Sequence, residues 1–147
     1  KKNWKKIYNQ PQIIIFEGWC VGAKPQKNKD LVKPINILEK KKDSKIIWRK
    51  KVNKELKNNY KKIFNKIDRL IFLKVPNFEC VYKWRLVQEK KLQLTSRSKK
   101  IMSDVQVREF IMFYQRITMQ MLKDLTSKAY AVLYLDKKHR FNKIRFN

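Results

Sequence analysis

Glycine is scarce in this chain: Gly18 and Gly22 are the only two in 147 residues, beside four prolines. That composition excludes collagen-like repeats and flexible Gly/Ser linkers. Only two cysteines, Cys20 and Cys80, and one histidine, His139, are present, with no C-x-x-C spacing. A typical zinc site is thereby excluded, and both cysteines read as free thiols in a reducing compartment. No Ser-His-Asp, Cys-His or G-x-S-x-G arrangement supports hydrolase chemistry. No apolar run approaches the ~18 residues that cross a bilayer, and no signal-peptide stretch follows the basic residues Lys1 to Tyr8. The expectation is a chain that neither spans a membrane nor is secreted.

Acidic residues are few, 12 Asp and Glu against 38 Lys and Arg, for a net charge of +26. Such a balance suits nucleic acid, an anionic membrane or phosphorylated small molecules. Lysine makes up thirty of the 38, and asparagine is abundant, which AT-rich coding bias also produces. The eight arginines stand at 49, 69, 85, 97, 108, 116, 140 and 145. With 43% hydrophobic and 12% aromatic residues, the chain has enough apolar surface to fold, and its length suits one domain.

Along the chain, the apolar run Gln12 to Gly18 has the pattern of a parallel strand buried on both faces, with Glu17 at its carboxyl end. Residues 19–42 follow as a long loop with one helical turn around Ile35 to Glu39. Asp43 or Ser44 caps a helix whose stripe runs Trp48, Val52, Leu56, Tyr60, Ile63, Phe64, Ile67, which places Trp48 in the core. Leu70 to Val75, stopped by Pro76, is a second strand, so strand, helix and strand form a βαβ unit. Phe78 to Leu94 is a less buried helix with Lys83, Arg85, Gln88, Glu89 and Lys90 on its polar face. After a basic loop from Thr95 to Lys100 that contains Arg97, a capping box at Ser103 to Gln106 opens a long amphipathic helix through Leu125. Ala131 to Leu135 is the last strand, ending at Asp136 before a basic, frayed tail.

Alternating strands and helices predict an open α/β sheet whose ligands bind outside the carboxyl ends of the strands. Glu17-Gly18-Trp19, Pro76-Asn77 and Asp136 with Lys137 to Arg140 collect there. An acid closing a buried strand can hold the water shell of magnesium or orient a hydroxyl nucleophile, or it can merely end the strand. Arg85, Lys83 and Arg97 can stabilise charge on a phosphoryl group, or form a solvated face. Trp19 is placed to line a pocket.

Taken in order, the segments Ile13-Ile14-Ile15-Phe16-Glu17-Gly18-Trp19, Val21-Gly22-Ala23-Lys24-Pro25, Ile71-Phe72-Leu73-Lys74-Val75-Pro76, Val81-Tyr82-Lys83-Trp84-Arg85-Leu86-Val87-Gln88-Glu89 and Met102-Ser103-Asp104 resemble the carboxyl-terminal part of the D-glycerate 3-kinase family. The likeness runs over roughly residues 12–140. Its most specific words are E-G-W and Y-K-W-R-L-x-Q-E; E-G alone recurs in the uridine kinase-like P-loop kinases. The resemblance implies ATP- and magnesium-dependent phosphoryl transfer to a hydroxyl of glycerate. It also implies a three-layer, P-loop kinase-like α/β fold, a parallel sheet with flanking helices, of which residues 1–147 are the C-terminal portion and the central P-loop strand is missing. Glu17 would be catalytic, beside the acceptor and reaching magnesium through water, with Gly18 and Trp19 shaping the acceptor pocket. Arg85, with Lys83 and Gln88, would belong to a lid-like region at 83–103, and Asp136 and His139 would lie near the nucleotide base.

The chain departs from the family in one respect. Phosphate binding needs G-x-x-x-x-G-K-[ST], whose backbone N–H groups wrap the phosphates, and Gly18-Trp19-Cys20-Val21-Gly22-Ala23-Lys24 does not have that spacing. The implied partners are therefore ATP, a small hydroxy acid and the N-terminal half of a cytoplasmic kinase, this portion being inactive alone. Rival readings are a basic nucleic-acid-binding module and a degenerate kinase fold kept as an interaction protein. No RRM, KH or zinc-finger pattern supports the former. If coding bias set the charge, binding to duplex DNA or RNA is weak, indifferent to sequence and lost steeply as salt rises. Affinities for several sequences at low and physiological salt check this.

Overall fold

The computed structural model describes Lys5, residues 8–95 and residues 101–147; the expected loop position Arg97 lies outside them. Ten elements follow in order: α1 (Asn28–Val32), α2 (Ile37–Lys42), α3 (Ile47–Glu55), a π-helical turn (Leu56–Tyr60), α4 (Lys61–Phe64), β1 (Ile71–Lys74), α5 (Phe78–Thr95), α6 (Asp104–Asp124), β2 (Ala131–Leu135) and β3 (Phe141–Phe146). The strands form one mixed sheet of order β1-β2-β3. β1 pairs with β2 in parallel, Ile71 opposite Ala131, and β2 pairs with β3 antiparallel, Ala131 opposite Phe146. The α5–α6 pair is thus the crossover between β1 and β2, the connection a parallel pair requires.

Most predicted elements are present, and the reasons are local. Asn77 Oδ1 accepts the Cys80 N–H (3.0 Å) at the start of α5. Ser103 and Gln106 form the expected capping box of α6, and the Ser103 N–H donates to Gln106 Oε1 (2.8 Å). Ile117 and Met121 of α6 and its C-cap Leu125 pack under the sheet with Val132, Phe72 and Tyr134. Val107 and Ile111 make a second cluster with Tyr82, Phe78 and Leu86 of α5.

Four expectations are corrected. First, residues 12–18 form no strand: Ile13, Ile14, Ile15 and Phe16 are 79, 79, 85 and 55% exposed. A strand buried on both faces needs neighbours at both edges, and this run pairs with none of the described strands, so the βαβ unit drawn from it is absent and Glu17 closes no strand. Second, the sheet is mixed, because the tail expected to fray returns as β3. Asp136 makes that possible: its carboxylate accepts the N–H groups of Lys138 and Arg140 (2.8 and 2.9 Å) and closes a tight hairpin. Third, 19–42 is a loop carrying two short helices, α1 and α2.

Fourth, the face of α3 turned inward is Arg49 and Asn53, continued by Leu56 of the π-helical turn, while Trp48 is 68% and Val52 41% exposed. The physical reason is a buried polar cluster. Arg116 of α6 grips both Glu39 oxygens (2.7 and 2.6 Å) and donates to the carbonyls of Asp30 (2.8 Å) and Lys33 (2.7 Å). Arg49 bonds the Asp43 carboxylate (2.9 Å) and the Leu31 carbonyl (2.8 Å). Asn53 exchanges two bonds with the Gln26 backbone (2.7 and 3.0 Å). These bonds turn α3 by its polar row, and an apolar stripe cannot reveal that.

Burial alone would raise the Glu39 and Asp43 pKa values. For Glu39 the Arg116 bonds, the Ile35 N–H and the Arg49 charge outweigh burial; for Asp43 the Trp48 N–H and Arg49 do, so both are lowered. A carboxyl with a depressed folded pKa adds stability above its unfolded pKa and loses it as pH falls through the folded one. Thermal stability therefore declines on acidification below the ordinary carboxylate range. In Glu39→Leu the two arginines lose their shared anion, a change that costs about 3–5 kcal/mol for a buried pair. Denaturant unfolding of the variant and of the unaltered chain at neutral pH checks the figure, and melting across pH 3 to 7 checks the slope.

Candidate functional site

Upstream of β1 the chain turns sharply at Gly18 to Ala23, with the Val21 N–H donating to the Gly18 carbonyl (3.3 Å) and the Ala23 N–H to that of Cys20 (3.0 Å). Gly22 sits at φ +81°, and a Cβ there would lie 2.6 Å from Leu70 Cδ2. The left-handed backbone favours glycine there, and the turn packs closely on the Leu70 side chain. The turn is thereby pressed against the residue that precedes β1. Glu17 and Gly18 are exposed beside it. The Trp19 ring meets Tyr114 of α6 edge-on, with centroids 4.9 Å apart.

Tyr114 leads further. Its ring lies 5.0 Å from Phe110, one helical turn away, and the Arg85 guanidinium lies 5.4 Å above the Phe110 ring. Two sequence-predicted positions far apart in the chain, Trp19 and Arg85, are thus joined by an aromatic line along α6. Arg85 donates to Gln88 Oε1 (3.1 Å) and is ion-paired with Glu89, while its buried Nε has no hydrogen-bond partner among the described residues. Glu89, expected on the polar face, is instead 4% exposed. Its second oxygen accepts the Met102 N–H (3.0 Å) and ties the end of α5 to the approach to α6. Lys83 is exposed on the same helix.

The third predicted group gathers at the β2–β3 hairpin. His139, in the left-handed region at φ 65°, stacks on Trp84 at 4.1 Å and 17°. Trp84 Nε1 donates to the Lys137 carbonyl (3.2 Å). Backbone N–H bonds from the hairpin, with the Arg140 side chain, hold the Asp136 carboxyl below its usual pKa. Asp136 is committed to its turn, and His139 presents one ring face to an indole. Consecutive residues of α5 therefore look two ways: Trp84 to the hairpin and Arg85 to α6.

The site lacks the parts of a complete nucleotide site. Among the described residues no three Asp, Glu, His or Cys side chains cluster to hold a metal. Glu17 is a lone exposed carboxylate, whereas magnesium takes one or two carboxylates along with substrate phosphates. The residues present do not by themselves fit a magnesium-bound triphosphate. What they offer is an aromatic wall, a guanidinium stored against a buried acid and a free carboxylate.

Sequence reasoning missed Glu89, Phe110 and Tyr114 as members of this site, since each fits an ordinary helix pattern. It also missed the buried cluster of Arg49, Arg116, Glu39 and Asp43, which lies at the base of a groove of about 630 Å³ between α3 and α6. One signal was available, the use of arginine in a chain otherwise committed to lysine.

Comparison with known proteins gives relatives in sequence and structure. The chain is 34% identical over 132 residues to the uncharacterized kinase mug58 of Schizosaccharomyces pombe, covering 88% of this chain and 46% of that protein. It is 30% identical over 112 residues to the chloroplastic D-glycerate 3-kinase of Arabidopsis thaliana, covering 76% of this chain and 22% of the relative. The chain thus spans less than half of either curated relative. A solved D-glycerate 3-kinase from Cryptococcus neoformans shares the fold with a TM-score of 0.73 at 20% identity, over 95% of this chain and 51% of that one. No family model matches.

Glu89→Gln keeps an acceptor for the Met102 N–H but removes the charge that holds Arg85. Loss of that partly exposed pair lowers stability by about 1 kcal/mol. Glu89→Ala also frees the Met102 amide, whose hydrogen exchange then accelerates while that of Glu89→Gln does not. Amide exchange read by NMR separates the two.

Proposed function

We propose that this chain, homologous to the D-glycerate 3-kinase family over the part of those proteins it spans, supplies the acceptor and lid side of an ATP-dependent small-molecule kinase. The observation that carries the reading is the line Trp19–Tyr114–Phe110–Arg85, which brings the E-G-W segment and the arginine of the Y-K-W-R-L-x-Q-E segment onto one face of α6. In this reading Gly18 and Trp19 shape the pocket for a small hydroxy acid. Glu17 orients the acceptor hydroxyl and draws its proton as the oxygen becomes nucleophilic. Arg85, with Lys83 and Gln88 beside it, answers the charge on the phosphoryl group, and residues 83–103 close over it to exclude water.

D-glycerate is the acceptor we favour, because two of the relatives carry that activity in their names. ATP and magnesium would be held with the phosphate loop of the kinase half that this chain does not span, so the chain alone is inactive. Asp136 and His139 are assigned to the nucleotide-base side of the site. A cytoplasmic location belongs to the same proposal. Among the described residues no helix is long and apolar enough to cross a membrane.

In a protein reconstituted with that other half, Glu17→Gln lowers turnover with little change in melting temperature, since Glu17 is exposed. Arg85→Ala lowers kcat by about 10²-fold if it meets the transferring group. Steady-state kinetics with ATP and D-glycerate, run beside thermal melts, read both. Unchanged turnover in both variants rejects the assignments, and tight sequence-selective nucleic-acid binding at physiological salt favours the module instead.

A further inference from the structure

Glu89 is the acid that the residue pattern places on the polar face of α5, and the fold buries it to 4% exposure. Its two oxygens have different partners. One is paired with Arg85, a turn earlier on the same helix, and the other accepts the Met102 N–H (3.0 Å) ahead of α6. Arginine four residues before glutamate is the weaker order for a helical pair, and a solvated pair of that kind contributes little. What fixes this one is burial: a carboxylate out of water keeps its charge only beside a cation and donors, and the Met102 amide holds the second oxygen in place.

The guanidinium is held without being used up. It carries five N–H groups. Among the described residues, Glu89 and Gln88 Oε1 each accept one, from different terminal nitrogens, and Nε is closed off without a partner. One N–H on each terminal nitrogen remains. The Phe110 ring, 5.4 Å from Cζ, backs the group from α6. The Arg85 side chain is 31% exposed and that of Glu89 6%, so an anion arriving from solvent meets the arginine and not the acid. Two N–H groups on one planar fork suit two oxygens of a phosphoryl group.

We propose that Glu89 is a positioning residue of the phosphoryl-transfer site: held by the Met102 amide, its carboxylate fixes the Arg85 fork so that the two remaining N–H groups face the oxygens of the transferring group. The proposal rests on the kinase reading above and supplies what that reading leaves open, the group that aims the arginine. Glu89 touches no substrate and acts through Arg85. An arginine already held needs no reordering as charge develops on the phosphoryl oxygens. Neutralising the acid separates its two functions. In Glu89→Gln the amide oxygen keeps the Met102 N–H, while the amide NH2 group meets the guanidinium donor to donor, so the backbone tie remains and the aim is lost.

Guanidinium NMR of this chain reads the aim directly. Rotation of the Arg85 terminal nitrogens is slow in the unaltered chain and faster by about tenfold or more in Glu89→Gln, since a charge-assisted bond is lost; equal rates overturn the proposal. Kinetics use this chain joined in one polypeptide to the part of the Schizosaccharomyces pombe kinase that it does not match. There Glu89→Gln lowers kcat for transfer from ATP to D-glycerate by about tenfold or more and leaves the KM for D-glycerate unchanged. The double variant of Arg85→Ala with Glu89→Gln is no slower than Arg85→Ala alone, the non-additivity of a residue that works through another. Arg85→Lys, which leaves Glu89 a cation but removes the fork, loses kcat at an unchanged melting temperature. Additive losses in the double variant, or full turnover in Glu89→Gln or Arg85→Lys, overturn the role of Glu89 while the kinase reading stands. An unaltered fusion that transfers no phosphoryl group overturns the kinase reading, and the role with it.

Discussion

The bidentate pair between Arg116 and Glu39 organises this molecule. It is a buried ion pair whose remaining donors are spent on the carbonyls of Asp30 and Lys33, and a guanidinium in such a site costs little only when every fork is filled. Through it the irregular segment before α3 is bound to the longest helix among the described residues. Arg49 repeats the device from α3 onto the same segment. With two arginines holding it, a loop of low apolar content has a defined path, and the Gly18 to Ala23 turn that begins it meets Leu70 in register.

That path has consequences for the candidate site. Because α3 is bound by its polar row, Trp48 and Val52 are left outside, lining a groove rather than a core. Because the turn is packed on Leu70, Trp19 reaches Tyr114 on α6, and α6 in turn carries Phe110 under Arg85. The site is assembled on the helix that also fills the core beneath the sheet, so its geometry is tied to the most buried part of the chain. Helix-borne groups of this kind hold their positions better than groups on free loops.

Arginine usage gives the clearest thread from composition to structure. Each of the seven described arginines makes a contact suited to a planar fork: Arg49 and Arg116 in the buried cluster, Arg85 with Glu89, Arg140 with Asp136, and Arg145 with the Thr126 carbonyl. Arg69 and Arg108 lie over the rings of Tyr130 and Tyr82. A lysine has neither the fork nor the flat face. In a chain where lysine is the default cation, the seven described arginines stand where a fork or a ring contact is made, whatever set the overall charge.

The sequence by itself determined what depends on neighbours along the chain. The capping box at Ser103, the apolar rows of α6, the runs that became β1 and β2, and the words that resemble the kinase family are all local patterns. Tertiary structure decided the rest, because it depends on contacts between residues tens of positions apart. Ile13 to Phe16 reads as a strand, yet it pairs with none of the described strands and is left exposed. The tail reads as frayed, yet Asp136 closes a turn that offers it the free edge of β2. Trp48 reads as core, yet two buried arginines rotate its helix. Glu89 reads as a surface acid until Arg85 and the Met102 amide enclose it, since burial of a charge is a property of its partners and not of its neighbours in sequence.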